Sequence, residues 1–118
     1  MGFSKRKWHK VAEKETDIQW TAGEIAEVDV NGKKICIARA KEGWYGFADT
    51  CPHAGAPMID GYISGGCQVV CPVHQLKFNL KNGRDVNGEG YTLKTYPVEV
   101  RPDGIFVGLE EGGLFKWF

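Results

Sequence analysis

Two short segments, CPHAGAPM at residues 51–58 and CPVH at residues 71–74, decide how this chain of 118 residues is interpreted. The first places Cys51 beside His53, and the second places Cys71 beside His74. Each segment pairs one thiolate with one imidazole. That set fits a [2Fe–2S] centre in which two cysteines hold one iron and two histidines hold the other. The ligand set predicts an electron-transfer protein.

The residues between the ligands favour rigid loops. Pro52 and Pro72 each follow a cysteine directly, and proline fixes φ near −65° and removes a backbone N–H. Gly55 allows the first segment to turn with positive φ. We therefore expect both segments to form stiff loops at strand ends, aiming sulfur and imidazole at neighbouring irons.

A structural zinc site is the alternative, because two cysteines and two histidines also form a zinc ligand set. Zinc sites of this type more often group like ligands, as C-x₂₋₄-C followed by H-x₃₋₅-H. Here each segment is mixed, and the spacing of Cys51 and His53 is tighter than that pattern. The spacing favours the diiron centre without removing the zinc alternative.

The two segments resemble the cluster-binding loops of Rieske-type [2Fe–2S] proteins, in particular the small soluble Rieske ferredoxins. The resemblance implies that Cys51 and Cys71 ligate the inner iron, and that His53 and His74 ligate the outer iron through Nδ1. It also implies an all-β fold of stacked antiparallel sheets. A cluster-binding subdomain, at about residues 47–84, would be inserted into a single domain spanning residues 1–118.

Departures from the respiratory-complex members of that family predict a low reduction potential. Those members carry an extra cysteine in each loop, joined as a disulfide, where this chain has Ala56 and Val73. They also carry Ser and Tyr hydroxyls that donate to the cluster sulfurs, where this chain has Leu76 and Phe78. Because such hydrogen bonds favour the reduced state, their loss predicts a potential near the bottom of the Rieske range of about −150 to +300 mV.

The predicted function is one-electron transfer from a flavin- and NAD(P)H-dependent reductase to a terminal oxygenase, by a protein that is not itself an enzyme. An oxygenase site needs a mononuclear iron held by two histidines and a carboxylate, and beyond His53 and His74 only His9 is left. We expect transient docking through small interfaces by a monomer. The alternative is the small subunit of an assimilatory nitrite reductase, which is similar in fold and length.

Composition and charge limit the kinds of partner that we expect. Fifteen Lys and Arg balance fifteen Asp and Glu, so no basic field indicates a nucleic-acid partner. No apolar run approaches the roughly 20 residues needed to span a membrane, and the basic start, MGFSKRKWHK, leads into polar residues rather than a signal sequence. We expect a cytoplasmic protein with no membrane partner. Cys36 and Cys67 are predicted to be small buried residues.

Turn signals between apolar segments predict an antiparallel β fold. Asn31-Gly32 predicts a type I′ hairpin joining strands at residues 24–30 and 33–40, and Pro102-Asp103-Gly104 predicts a second hairpin joining residues 96–101 and 105–109. Further strands are expected at residues 44–48, 66–70 and 77–80, with a helical turn near residues 13–18. Trp8, Trp20 and Trp44 are expected to pack on sheet faces, and His9 is expected to lie on the surface. The aromatic tail after Gly112 is expected either to fold over a sheet or to present an apolar patch to a partner.

Overall fold

A computed structural model describes residues 6–110, in which nine β-strands and two short 3₁₀ turns form the secondary structure. The strands are β1 (Arg6–Ala12), β2 (Ile25–Val30), β3 (Lys33–Ala40), β4 (Gly43–Ala48), β5 (Tyr62–Ser64), β6 (Gln68–Val70), β7 (Lys77–Asn79), β8 (Thr95–Arg101) and β9 (Gly104–Glu110). The 3₁₀ turns are Glu15–Asp17 and Met58–Asp60. The predicted all-β class is confirmed, and the helical turn is short. The aromatic tail after Gly112 lies outside the described residues.

Six strands form the larger, fully antiparallel sheet, in the order β1-β9-β8-β4-β3-β2. The β2–β3 hairpin turns at Asn31 and Gly32, whose φ values are 55° and 84°. Positive φ at both positions is what a type I′ turn requires. Both predicted hairpins are confirmed, since β8 and β9 pair as neighbours with Arg101 opposite Gly104.

Aromatic residues cover the apolar side of this sheet. Trp44 packs with the buried Ile35 and Ile37, and the Trp20 ring meets Trp44 edge-on at a centroid distance of 5.1 Å. The Arg39 guanidinium lies 4.2 Å from the centroid of Trp20, a cation–π arrangement. The predicted packing of these two tryptophans is confirmed.

Strand β1 was not predicted from the sequence. It pairs along β9 with Trp8 opposite Gly108 and His9 opposite Val107. His9, expected on the surface, is half-buried there. The segment around His9 is rich in Lys and Arg, so its sequence predicts exposure. His9 is half-buried because β1 pairs with β9, which is distant in the sequence.

The smaller sheet, β5-β6-β7, is inserted in the chain between β4 and β8. It lies inside the interval 47–84 predicted for the cluster-binding insert, although the limits of that insert and the single-domain span remain a prediction. One backbone hydrogen bond joins Ile63 N–H of β5 to the carbonyl of Gly23, just before β2 (3.0 Å), and an ion pair joins Lys81, just after β7, to Glu42 in the β3–β4 turn (2.7 Å). Within residues 6–110 no helix is long and apolar enough to cross a membrane.

Candidate metal centre

The four predicted ligands lie on two loops of closely similar backbone form. The first loop, residues 51–56, comes shortly after β4, and its Cys51 N–H donates to the Ala56 carbonyl at 2.9 Å. The second loop, residues 71–76, follows β6 directly, and its Cys71 N–H donates to the Leu76 carbonyl at 2.8 Å. In both loops the cysteine is therefore bonded to the carbonyl five residues later, which closes the loop around the histidine.

Both cysteines lie at the bottom of the site. Cys51 is 1% exposed and Cys71 is completely buried, in a core that also holds Phe47 and Phe78. Burial raises the pKa of the Cys71 thiol; the N–H of Val73, 3.4 Å from its sulfur, opposes that rise, and the neighbouring Cys51 thiol adds to it. A metal must displace the proton to bind there, so metal binding would release protons.

Both histidines lie above the cysteines, on the rim. Their ring centroids are 5.5 Å apart, with 62° between the ring planes. His74 and the following Gln75 both have left-handed backbone, with φ of 61° and 56°, which non-glycine residues adopt infrequently and at an energetic cost. Gly55 takes the corresponding conformation in the first loop, with φ of 69°.

One buried atom tests whether a metal fits these residues. Nδ1 of His53 is buried and has no hydrogen-bond partner among the described residues 6–110. Buried polar groups without a partner are rare, and each calls for an explanation such as an ion. Together with two buried thiols, an imidazole nitrogen facing inward is the donor set of a mixed sulfur and nitrogen iron centre. The residues present fit a Rieske cluster.

A third segment, which was not predicted from the sequence, borders the site. The Tyr91 ring meets the His53 ring edge-on, at a centroid distance of 4.8 Å and an angle of 75°. Tyr91 follows a loop organised by the buried Asp85. The sequence does carry a signal, because Asp85 precedes Asn87-Gly88-Glu89-Gly90, residue types typical of a side-chain-stabilised turn.

The positions that predicted a low potential are apolar and buried. Leu76 is 5% exposed, and Phe78 is completely buried. Neither side chain can donate a hydrogen bond to sulfur. Ala56 and Val73 likewise offer no thiol for a loop disulfide.

The two other cysteines, Cys36 and Cys67, are buried, as predicted, and share one buried cluster with Cys51 and Cys71. Cys36 on β3 belongs to the buried cluster between the two sheets, and burial, followed by the charges of Glu27 and Asp49, raises the pKa of its thiol to about 12. Cys67 lies against the Tyr45 hydroxyl, and the contact raises the pKa of that phenol. None of the four cysteines forms a disulfide.

The Rieske [2Fe-2S] domain family matches residues 7–97 of this chain. The chain belongs to that family. A Rieske protein carries a [2Fe–2S] cluster, so the predicted cofactor is confirmed and the zinc alternative is set aside. The match includes both ligand loops and the segment that carries Tyr91.

Curated relatives are ferredoxins of oxygenase systems. The chain is 33% identical to the 3-phenylpropionate/cinnamic acid dioxygenase ferredoxin subunit of Shigella flexneri, over 75% of this chain and 84% of that protein. It is 30% identical to the ferredoxin component of the naphthalene 1,2-dioxygenase/salicylate 5-hydroxylase systems of a Ralstonia species, over 75% of this chain and 85% of that protein. Relatives of this kind are electron carriers, not catalysts.

Solved structures give the same fold. One chain from the complex of reduced oxygenase and oxidized ferredoxin in carbazole 1,9a-dioxygenase superposes with a TM-score of 0.68, at 28% identity, covering 85% of this chain and 91% of that one. A small subunit of NADH-dependent nitrite reductase from Mycobacterium tuberculosis superposes with a TM-score of 0.71, at 20% identity, covering 91% and 96%. At that identity the second likeness shows the fold alone.

Proposed function

We propose that this protein is the ferredoxin of an oxygenase system, which receives single electrons from a flavin-dependent reductase and passes them to a terminal oxygenase. The observation that carries the proposal is the complete ligand set on two matching loops, with His53 Nδ1 buried and aimed at no other group in the described residues. The ferredoxin relatives of dioxygenase systems support the oxygenase as partner.

In this proposal Cys51 and Cys71 would hold one iron, and His53 and His74 would hold the other through Nδ1. When bound, the cluster takes up and releases one electron. The protein's own residues do the remaining work: the buried core around the cysteines excludes water, and the Val73 N–H donates to the Cys71 sulfur at 3.4 Å. The histidine rings occupy the rim, where a partner protein can approach.

The rim suits brief encounters. Ala54, Gly55 and Pro57 are exposed around the first loop, and Val73 is half-buried on the second. These small side chains have little to desolvate, and redox partners typically dock through small interfaces. We propose that the protein acts as a monomer in the cytoplasm, a reducing compartment in which disulfides are rare, and none of the four cysteines forms one.

Spectroscopy and electron-transfer kinetics test the proposal. The dithionite-reduced protein should give the EPR spectrum of a mixed-ligand [2Fe–2S] centre, with about two irons per chain. An NADH-fed flavin reductase from a dioxygenase system should then reduce it catalytically, and the reduced protein should be reoxidised by the matching oxygenase. A colourless protein that folds fully and binds one zinc would contradict the ligand assignment, whereas a loaded protein that no reductase reduces would contradict the shuttle role alone.

The small subunit of a nitrite reductase is the second candidate, and the superposition with such a subunit favours it at the level of fold. Stable copurification with a large sirohaem subunit would support that role. Transient binding to a flavin reductase, without a permanent partner, would support the shuttle.

A further inference from the structure

The two histidine ligands differ in exposure. His74 is exposed on the rim, whereas His53 is half-buried and contacts the Tyr91 ring edge-on, at a centroid distance of 4.8 Å. Gln75, the residue after His74, is also exposed, and its Oε1 accepts a hydrogen bond from the Tyr62 hydroxyl at 3.1 Å.

A single carboxylate organises the segment that covers His53. We call residues 85–91 the covering loop. Both oxygens of Asp85 accept backbone hydrogen bonds across it: Oδ1 from the Glu89 N–H at 2.8 Å and Oδ2 from the Tyr91 N–H at 2.7 Å. The Asp85 residue is only 9% exposed. Charge-assisted hydrogen bonds of this length are among the stronger ones in proteins.

The ends of the covering loop are also fixed. The Asp85 N–H donates to the Tyr91 carbonyl at 3.1 Å, which closes the loop, and the Val86 N–H donates to the Lys77 carbonyl at 2.9 Å, which joins it to β7. The loop therefore has one defined shape rather than several. Its shape fixes where the Tyr91 ring lies.

We infer that Asp85 is a positioning residue for the metal centre: through the covering loop it places Tyr91 over His53, so that His74 alone is the open imidazole of the site. The inference rests on the proposed ligand assignment. It gives the two histidines different roles, because partners and small reagents can reach the His74 ring while the Tyr91 ring shields that of His53.

Chemical modification of the oxidised, cluster-loaded protein tests this inference. Diethyl pyrocarbonate at one fixed pH, followed by peptide fragmentation, measures the modification rate of each histidine. In the unaltered protein His74 should react at least about tenfold faster than His53, since the Tyr91 ring covers His53. Equal rates at the two histidines would overturn the inference.

Variants separate positioning from general stability. Tyr91→Ala should speed modification of His53 to near the His74 rate, and Tyr91→Phe, which keeps the ring, should retain the protection. Asp85→Ala should behave like Tyr91→Ala, and Asp85→Asn should restore part of the protection because its amide oxygen still accepts. The matched control is Val86→Ala, an exposed position of the same loop, which should change neither rate.

The reduction potential gives a second readout. Opening His53 to water should raise the midpoint potential of Tyr91→Ala and of Asp85→Ala, since solvent favours the more highly charged reduced state. If Asp85→Ala lowers the melting temperature but leaves the midpoint potential and the modification rate of His53 unchanged, the role of Asp85 is merely structural. If that variant fails to load iron, Tyr91→Ala and Asp85→Asn decide the question.

Failure of this inference differs from failure of the proposed function. Iron content and EPR are measured on the same samples and report the ligand assignment, without any partner protein. A correct EPR spectrum with equal reactivity of the two histidines would refute only the positioning role of Asp85.

Discussion

At the scale of single residues, the ligand assignment makes the sharpest prediction. Cys71→Ser should lose the Rieske EPR signal and most of the iron, because a serine hydroxyl is a poor substitute for a thiolate ligand. Iron analysis and EPR measure both. The matched control is Cys67→Ala, another buried cysteine four positions earlier, which should keep full iron and an unaltered spectrum. An unaltered spectrum in Cys71→Ser would refute the assignment.

Leu76 tests the cause of the expected low potential. Leu76→Ser should raise the midpoint potential by about 65–130 mV relative to Leu76→Ala, if the new hydroxyl donates to a cluster sulfur with the roughly 1.5–3 kcal/mol of a hydrogen bond to a charged group. Both variants lose the same buried side chain, which costs about 2–5 kcal/mol of stability. The difference between the midpoint potentials of Leu76→Ser and Leu76→Ala, measured by voltammetry, therefore reports the effect of the hydroxyl. Equal potentials would contradict this explanation.

Cys36 should make the protein less stable in alkali. Its folded pKa is about 12, whereas an unfolded thiol titrates near pH 8.5. The unfolded chain therefore releases this proton first, so the contribution is intact below about pH 8.5 and is lost as pH rises toward 12, at about 1.4 kcal/mol per pH unit. Urea unfolding between pH 8 and 10 should show a shallower decline for Cys36→Val than for the unaltered protein. Parallel declines would contradict the buried-thiol explanation.

At the scale of elements, two glycines with similar backbone separate strain from close packing. Gly32 and Gly83 both have positive φ, 84° and 79°, but a Cβ on Gly32 would meet nothing within 4 Å, whereas a Cβ on Gly83 would lie 1.9 Å from the Leu93 carbonyl oxygen. The Gly83 N–H also donates to the Asn79 carbonyl. The Gly83 site therefore leaves no room for any other residue.

The expected result follows from that difference. Gly32→Ala should cost about 1 kcal/mol, the penalty for an L residue in left-handed backbone, and Gly83→Ala should cost several times more, because the backbone itself must move. Urea unfolding of the two variants measures both costs. Equal costs would show that the segment around Leu93 adjusts freely.

At the scale of the whole molecule, the two cysteines proposed as ligands belong to the core that joins the two sheets. Cys51 and Cys71 share a buried cluster with Ile25 and Phe47 of the larger sheet and with Phe78 of the smaller one. A second buried cluster, which includes Ile37 and Val107, is formed by strands of the larger sheet alone. Loss of the metal should therefore affect the two sheets unequally.

Removal of the cluster should loosen the inserted sheet first. Hydrogen exchange of the chelated protein should show lost protection for amides of β5, β6 and β7, while β2–β3 and β8–β9 amides keep theirs, because metal ligation stabilises only the state in which the ligand loops are closed. The cluster-loaded protein in the same buffer is the control. Uniform loss of protection across all strands would show that the two sheets unfold as one unit.

Local chemistry made much of this molecule predictable. The Asn31-Gly32 turn and the β class depend on residue types at short spacing, which the chain carries in linear order. The proposed ligand set, Cys51, His53, Cys71 and His74, comes from the same kind of local pattern. Strand β1, the half-buried position of His9 and the Tyr91 shield were not predicted. Each of them depends on residues that are distant in sequence: β1 needs β9, and His53 needs a ring 38 positions later.

By itself, then, the sequence determined which atoms can hold the irons and that no hydroxyl at Leu76 or Phe78 assists them. Only the tertiary structure decided that the two imidazoles are unequal, with His53 beneath Tyr91 and His74 open. The physical reason is that ligand identity is a property of the side chain, whereas exposure is a property of whatever the fold packs beside it.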